Sequence, residues 1–318
     1  MNETGAELVS ILAATLRLAA PLVLAALGGL FSERSGVIDI GLEGKMLGSA
    51  FAAAAAAAAT GSAWAGLAAG VAASMLLALL HAYAAVTQGG NQVVTGMAIN
   101  ILVAGLAPVL ATAWFHLDGT TPMLPPAARF GALALPGSES LGALYRSALG
   151  GHNGLVYTAA LAVPAVALLL GRTRFGLRLR AAGENPEAVE TAGISVAAVR
   201  YRALLVTGLF CGLAGAYLSI AAGAGFTRVM TAGRGYLALA ALIFGRWRPV
   251  PTALACLIFA FADAAQARLQ GAALPLLGVV PVELVSALPY LLTVLLLAGF
   301  AGVARAPRAL GIPYGKDR

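Results

Sequence analysis

Apolar residues fall along this chain in long blocks rather than at alternating positions. Nine blocks stand out, at about 8–30, 42–60, 63–86, 93–116, 152–171, 201–222, 235–247, 250–268 and 284–304. Most reach the roughly 20 residues that an α-helix needs to cross a hydrocarbon core of about 30 Å. The block at 235–247 is too short and reads as a half-helix that completes its path through the preceding Gly-rich "AAGAGFTRVMTAGRG". Residues 52–59 are eight consecutive alanines, a composition that lets neighbouring helices approach closely. The pattern predicts an all-α polytopic membrane protein. About nine transmembrane helices (eight to ten), with Gly-rich breaks, form a single membrane domain over residues 1–318.

The polar positions concentrate in one island, "RTRFGLRLRAAGENPEAVETAGISVAAVR" at 172–200, and six arginines lie between Arg172 and Arg202. Asn185 suits a helix N-cap and Pro186 the first helical position. Glu187 sits where the helix dipole favours an acid, and Gly193 can close the helix in a left-handed conformation. The result is a helix of about seven residues, too short to be stable alone in water. Either it docks on a partner, or it is a helical turn in an ordinary cytoplasmic loop. The arginine flanks suit anchorage at anionic headgroups. Positive-inside bias places this island in the cytoplasm with two other basic stretches, "GRWRP" and "ARAPRALGIPYGKDR". Nine alternating spans put all three on that side, the N-terminus outside, and the long Pro-rich connection 117–151 outside. "LGGLFSERSGVIDIGLEGKMLGSAFA" and "LAGAYLSIAAGAGFTRVMTAGRGYLALAALIF" each run helix, Gly-rich break, helix. That echo is either a true repeat, as in many transporters, or chance in an Ala/Gly-rich chain.

Composition sharpens the class. Only 10% of residues are charged and the mean hydropathy is +0.88, against roughly a quarter charged in soluble domains. The net charge of +7 comes from arginines at span ends, so nucleic acid is not an expected partner. Cys211 and Cys256 lie in apolar blocks and read as packing residues. "MNETGAELVS" lacks the basic start of a secretory signal.

No catalytic, cofactor or metal chemistry is legible. A P-loop needs G-x-x-x-x-G-K-[ST]; before Lys45, Asp39 fills the first glycine position, and Met46 fills the hydroxyl position. His81, His116 and His152 have no metal-ligand spacing, and Ser219 lacks the glycines of a nucleophile elbow. A stand-alone secondary transporter would use buried acids, for which Asp39, Glu43, Asp263 and Glu283 are the candidates. Asp263 has Gln266 and Arg268 nearby for a local cluster, and Arg17 can snorkel outward.

"RTRFGLRLRAAGENPEAVETAGI" resembles the cytoplasmic coupling segment of permeases from bacterial ABC importers, the family of the ribose and branched-chain amino acid permeases. "LAAPLVLAALGGLFSERSGVIDIGLEGKMLGSAFAA" (19–53), "GGNQVVTGMAIN" (89–100) and "GRGYLALAALIFG" (233–245) carry the same resemblance in the expected order. The form "SERSGVIDIGLEG" is similar to the nucleoside branch, whose binding proteins are lipoproteins. Asp39 and Lys45 depart from the family, standing where Asn and an apolar residue are expected; they leave the fold alone but weaken a substrate role for that segment.

The resemblance implies a permease subunit in the bacterial cytoplasmic (inner) membrane. Its implied partners are a separate ABC ATPase, a second permease subunit (a copy or a different chain) and an extracytoplasmic substrate-binding lipoprotein. Within the loop 172–200, Gly183, Glu184, Asn185, Pro186, Glu187, Ala188 and Gly193 would receive the ATPase. The substrate is expected to be a nucleoside, with a simple sugar of the ribose type as the alternative. A stand-alone secondary transporter is the remaining reading.

A permeation path for such a ligand suits uncharged polar side chains beside small residues. Asn91, Gln92 and Asn100 are candidates, and Gln92 and Asn100 can share a helix face; the alternative is that these amides glue helices together. Asp39 and Glu43 either line the path or tie the first break to an arginine such as Arg34. Phe226, Thr227 and Tyr236 flank the second break, where an aromatic ring could meet a base.

Overall fold

The structure, a computed structural model, describes residues 3–133, 150–269, 273–274, 278–279 and 305–315. Ten α-helices are seen among them: α1 (Glu3–Arg34), α2 (Leu42–Thr60), α3 (Ala63–Ala82), α4 (Gln92–Phe115), α5 (Gly154–Arg172), α6 (Arg174–Glu184), α7 (Pro186–Thr191), α8 (Val196–Tyr217), α9 (Arg234–Phe244) and α10 (Pro249–Leu269). A π-helical turn extends α3 over Tyr83–Thr87 and another extends α8 over Leu218–Ala222. Ala273–Leu274 and Gly278–Val279 make a two-residue antiparallel pairing.

Eight of the nine apolar blocks coincide with helices; the ninth, 284–304, and Glu283 lie outside the described residues. Six helices are long and apolar enough to cross a membrane, and α9 is a shorter apolar one. Local chemistry sets the boundaries. Ser62, Asn91, Asn153, Thr173, Asn185 and Ser195 each accept a backbone N–H at a helix start, satisfying donors that the helix cannot. Gly61 ends α2 with φ +68°, a left-handed conformation that costs glycine nothing.

Helix α1 forms the spine, packing on α5, α8, α9 and α10. Helices α2, α3 and α8 form a second tight group, made possible by small residues. A Cβ on Gly215 of α8 would lie 2.1 Å from the Met46 carbonyl oxygen, and one on Gly70 of α3 would lie 2.8 Å from Ser49 Oγ. The alanine run contributes Ala53, Ala54, Ala55 and Ala57 to the buried side of α2. Both cysteines are buried and free. Helix α4 buries only a stripe at helical spacing, Gln92, Gly96, Ile99, Asn100, Val103, Ala107 and Ala111. Met97, Ile101 and Val109 on its other sides are exposed, as expected of surfaces that meet lipid or another subunit.

Candidate functional site

The arginine-rich island folds into two helices. Thr173 caps α6 by accepting the Gly176 N–H, and α6 buries Gly176, Leu179, Ala182 and Gly183. Sequence reasoning assigned this stretch to headgroup anchorage and missed the helix, although the spacing 176, 179, 182, 183 is helical. The short helix α7 follows: Asn185 Oδ1 accepts from Ala188 N at 3.1 Å. Gly193 closes it at φ +77°, with Ile194 N donating to Val189 O. Val189 is buried, whereas Glu184, Asn185, Glu187 and Ala188 are exposed.

This surface is joined firmly to the bundle. A Cβ on Gly183 would lie 2.2 Å from the Arg34 carbonyl oxygen, so only glycine fits. The Gly183 carbonyl accepts from Ala309 N at 2.8 Å, and Gly311 N donates to Gly36 O at 3.1 Å. Arg200 is no headgroup anchor: it is buried and donates to Ser35 O and Ile312 O, each at 3.2 Å. Residues 305–315 are thereby drawn into the surface, which sequence reasoning read only as a basic tail. A cleft of about 630 Å³ opens between 86–89, 184–187 and 308–315. Loss of water contact, with Glu190 and Glu187 nearby, raises the Tyr314 phenol above its ordinary value.

The two Gly-rich breaks meet in the interior. The first runs from Ser35 to Gly41 between α1 and α2; the second runs from Gly223 to Gly233 before α9. Glu43, in the first turn of α2, accepts Gly233 N on Oε1 at 2.8 Å and Gly235 N on Oε2 at 2.6 Å. An acidic side chain just after the first break thus caps the half-helix that follows the second, where the dipole favours negative charge. Contact is close, since a Cβ on Gly235 would lie 2.5 Å from Glu43 N. Glu43 therefore makes no link to Arg34, whose Nε instead donates to the Trp247 carbonyl at 2.9 Å.

Asn100 ties three pieces together. Its Oδ1 accepts Gly44 N at 2.7 Å, and its Nδ2 donates to Ile40 O at 2.9 Å and to the Tyr236 hydroxyl at 3.0 Å. One helical face below, Gln92 Oε1 accepts Ile38 N at 2.7 Å. Both amides face the first break, so the gluing role is observed directly. Asn91 is exposed and caps α4. Phe226 is buried edge-on against Phe51 at 5.3 Å, away from the cavity described next.

Glu43, Asn100 and Tyr236 line a cavity of about 670 Å³, walled otherwise by small and apolar residues such as Gly44, Ala104, Gly105 and Pro108. This size and mixture suit a small-molecule site. Tyr236 is 48% exposed. Its oxygen accepts from Asn100, which leaves its own proton and its ring edge available to a ligand. Arg228 at the rim pairs with exposed Asp118.

Behind the first break, Asp39, Lys45 and His81 form a fully buried cluster. The two departures from the family pattern are thus partners of each other, and Asp39 is not tied to Arg34. His81, read only as a span-end histidine, is the third member. Half-buried Asp263 lies within electrostatic reach of Arg234, while Arg17 is exposed and its carbonyl accepts the Tyr217 hydroxyl. Among the described residues no group of His, Cys, Asp or Glu is arranged to hold a metal.

Comparison with known proteins gives consistent matches. The profile of the family described as "Branched-chain amino acid transport system / permease component" matches residues 11–303. The guanosine ABC transporter permease protein NupQ of Bacillus subtilis (strain 168) is 38% identical over 97% of each chain. The nucleoside ABC transporter permease protein NupC of Lactococcus lactis subsp. cremoris is 32% identical over 94% of each. A Haloferax volcanii chain provisionally named glucose ABC transporter permease protein TsgC13 is 35% identical over 95% of this chain and 94% of its own. Among solved structures, an ABC transporter provisionally named as of the metal-chelate type, in an inward-facing conformation, matches with TM-score 0.50 and 15% identity. That match covers 92% of this chain and 87% of the other, and it speaks to the fold alone.

Proposed function

Because the chain belongs to the branched-chain amino acid transport system permease component family, as a multi-pass membrane subunit of an ABC transporter, we propose that it forms part of the import path for nucleosides. The observation that carries the substrate class is full-length similarity to relatives named for guanosine and nucleosides. The family implies ATPase and substrate-binding partners in general. In our reading the ATPase docks on α7 and the cleft beside it, through the exposed Glu184, Asn185, Glu187 and Ala188 and the half-buried Pro186. A second permease subunit faces the exposed side of α4 and the cavity. A lipoprotein delivers ligand at the opposite end, and the membrane is the bacterial cytoplasmic membrane. The sequence contains no P-loop motif, and in our reading the partner ATPase supplies the energy.

The cavity chemistry fits a weak, transient nucleoside contact. Tyr236 offers a ring edge and a hydroxyl, Asn100 holds that hydroxyl in place, and Glu43 keeps the half-helix start fixed beside it. Small residues opposite leave room for a flat base. A transport site that bound tightly would slow release, and mostly apolar walls with few polar groups meet that requirement.

The deciding experiment is uptake of labelled guanosine into proteoliposomes containing this chain, its ATPase and second permease, and the binding lipoprotein. ATP-dependent uptake that excess unlabelled nucleoside abolishes, and excess glucose or ribose does not, is the expected result. Competition by sugar alone would move the chain to the sugar branch. Uptake by this chain alone, driven by an ion gradient, would overturn the ABC reading.

A further inference from the structure

Asp39, Lys45 and His81 form a buried polar cluster that neither the cavity nor the docking surface uses. All three side chains have no solvent exposure. The Lys45 ammonium bonds Asp39 Oδ2. Asp39 Oδ1 accepts Gly41 N at 3.1 Å and lies 3.1 Å from His81 Nδ1, which is itself 3.2 Å from Lys45 Nζ. His81 Nε2 is buried with no hydrogen-bond partner among the described residues. Around this cluster, α8 contributes the buried Cys211 thiol, within electrostatic reach of both charges. Glu33 of α1 lies within electrostatic reach of Asp39, and Tyr83, two residues beyond His81, is exposed.

A buried carboxylate is tolerated only when it is paired. Lys45 satisfies that need. We propose that Asp39 and Lys45 are positioning residues that latch the first break in place, with His81 of α3 packed against both. What the latch positions is the backbone between Ile38 and Gly41, which bonds to Gln92 and Asn100 and so sets the wall of the cavity.

One consequence separates this latch from simple packing. Removing either formal charge alone leaves the other buried without its partner, whereas removing both leaves a neutral site.

The test is the melting midpoint of the purified full-length chain in detergent, compared with wild type. Asp39→Asn is expected to lower the midpoint by about 5–15 °C. Lys45→Met should lose a similar amount, and Asp39→Asn combined with Lys45→Met should melt near wild type. A double replacement that falls by the sum of its singles overturns the latch. Where Lys45→Met yields no folded protein, folding of the Asp39→Asn, Lys45→Met chain supports the latch and its failure to fold sinks it. Guanosine uptake by that double variant adds a readout that rests on the transport reading. Absence of uptake in wild type would remove that reading and leave the melting comparison standing.

Discussion

Replacing Glu43 tests whether one side chain joins the two breaks. In Glu43→Ala, the backbone N–H groups of Gly233 and Gly235 lose their acceptors at 2.8 and 2.6 Å, and the half-helix α9 loses the negative charge at its start. An unsatisfied buried donor costs about 1–3 kcal/mol, and the lost charge–dipole term about 0.3–1 kcal/mol. Glu43 is only half-buried, so water recovers part of this, and a net loss of about 2–4 kcal/mol is expected. For a chain of this size that is a fall of about 4–16 °C in melting midpoint. Glu43→Gln keeps one carbonyl acceptor but turns an NH₂ group toward the other donor, so about half the loss remains. The assay is thermal unfolding of the purified chain, followed by fluorescence of a thiol-reactive dye at the buried cysteines. Uptake should fall with stability in Glu43→Ala. A Glu43→Ala chain that melts with wild type would refute the cap, and with it the claim that the two breaks depend on each other.

Other outcomes follow from the same geometry. Gly183→Ala drives a methyl group into the Arg34 carbonyl and should uncouple ATP hydrolysis from uptake in the reconstituted complex; normal coupling would show that the surface can yield there. Asn185→Ala removes the cap of α7, worth about 0.5–2 kcal/mol, and should weaken ATPase association measured by co-purification at rising salt. Tyr236→Phe should raise the KM for guanosine several-fold with little change in kcat, and Tyr236→Ala more so; unchanged kinetics in both would remove this residue from the path. A cysteine introduced as Ala188→Cys should resist membrane-impermeant maleimide in intact cells and react after lysis.

Much of the helical frame was legible because apolar block length alone specifies a spanning helix. The short length of 235–247 and the glycines before it also predicted the half-helix α9. What could not be read was pairing across long separations. Asp39 and His81 stand 42 positions apart, and no local rule links the first break to α3. The available signal was an acid and a lysine, Asp39 and Lys45, six positions apart in a largely apolar segment, since opposite charges in an apolar setting demand each other. Helix α6 was missed for a different reason. Its arginines drew the reading toward lipid headgroups, while Gly176, Leu179, Ala182 and Gly183 carried the helical period beneath them. The amides of α4 were placed on one face correctly, but sequence could not tell that the Asn100 side chain is fully engaged by backbone and Tyr236. The ring of Tyr236, and not the amide, is left for a ligand.

The glycine at 183 has a mechanical meaning. With no side chain between it and the end of α1, and with its carbonyl held by Ala309, there is no compliant layer to absorb a push on the two short helices beside it. Any tilt imposed on them is handed at once to Arg34 and the loop behind it. The chain has a stiff joint at this point, and travel must be accommodated farther inside, where the helices are broken.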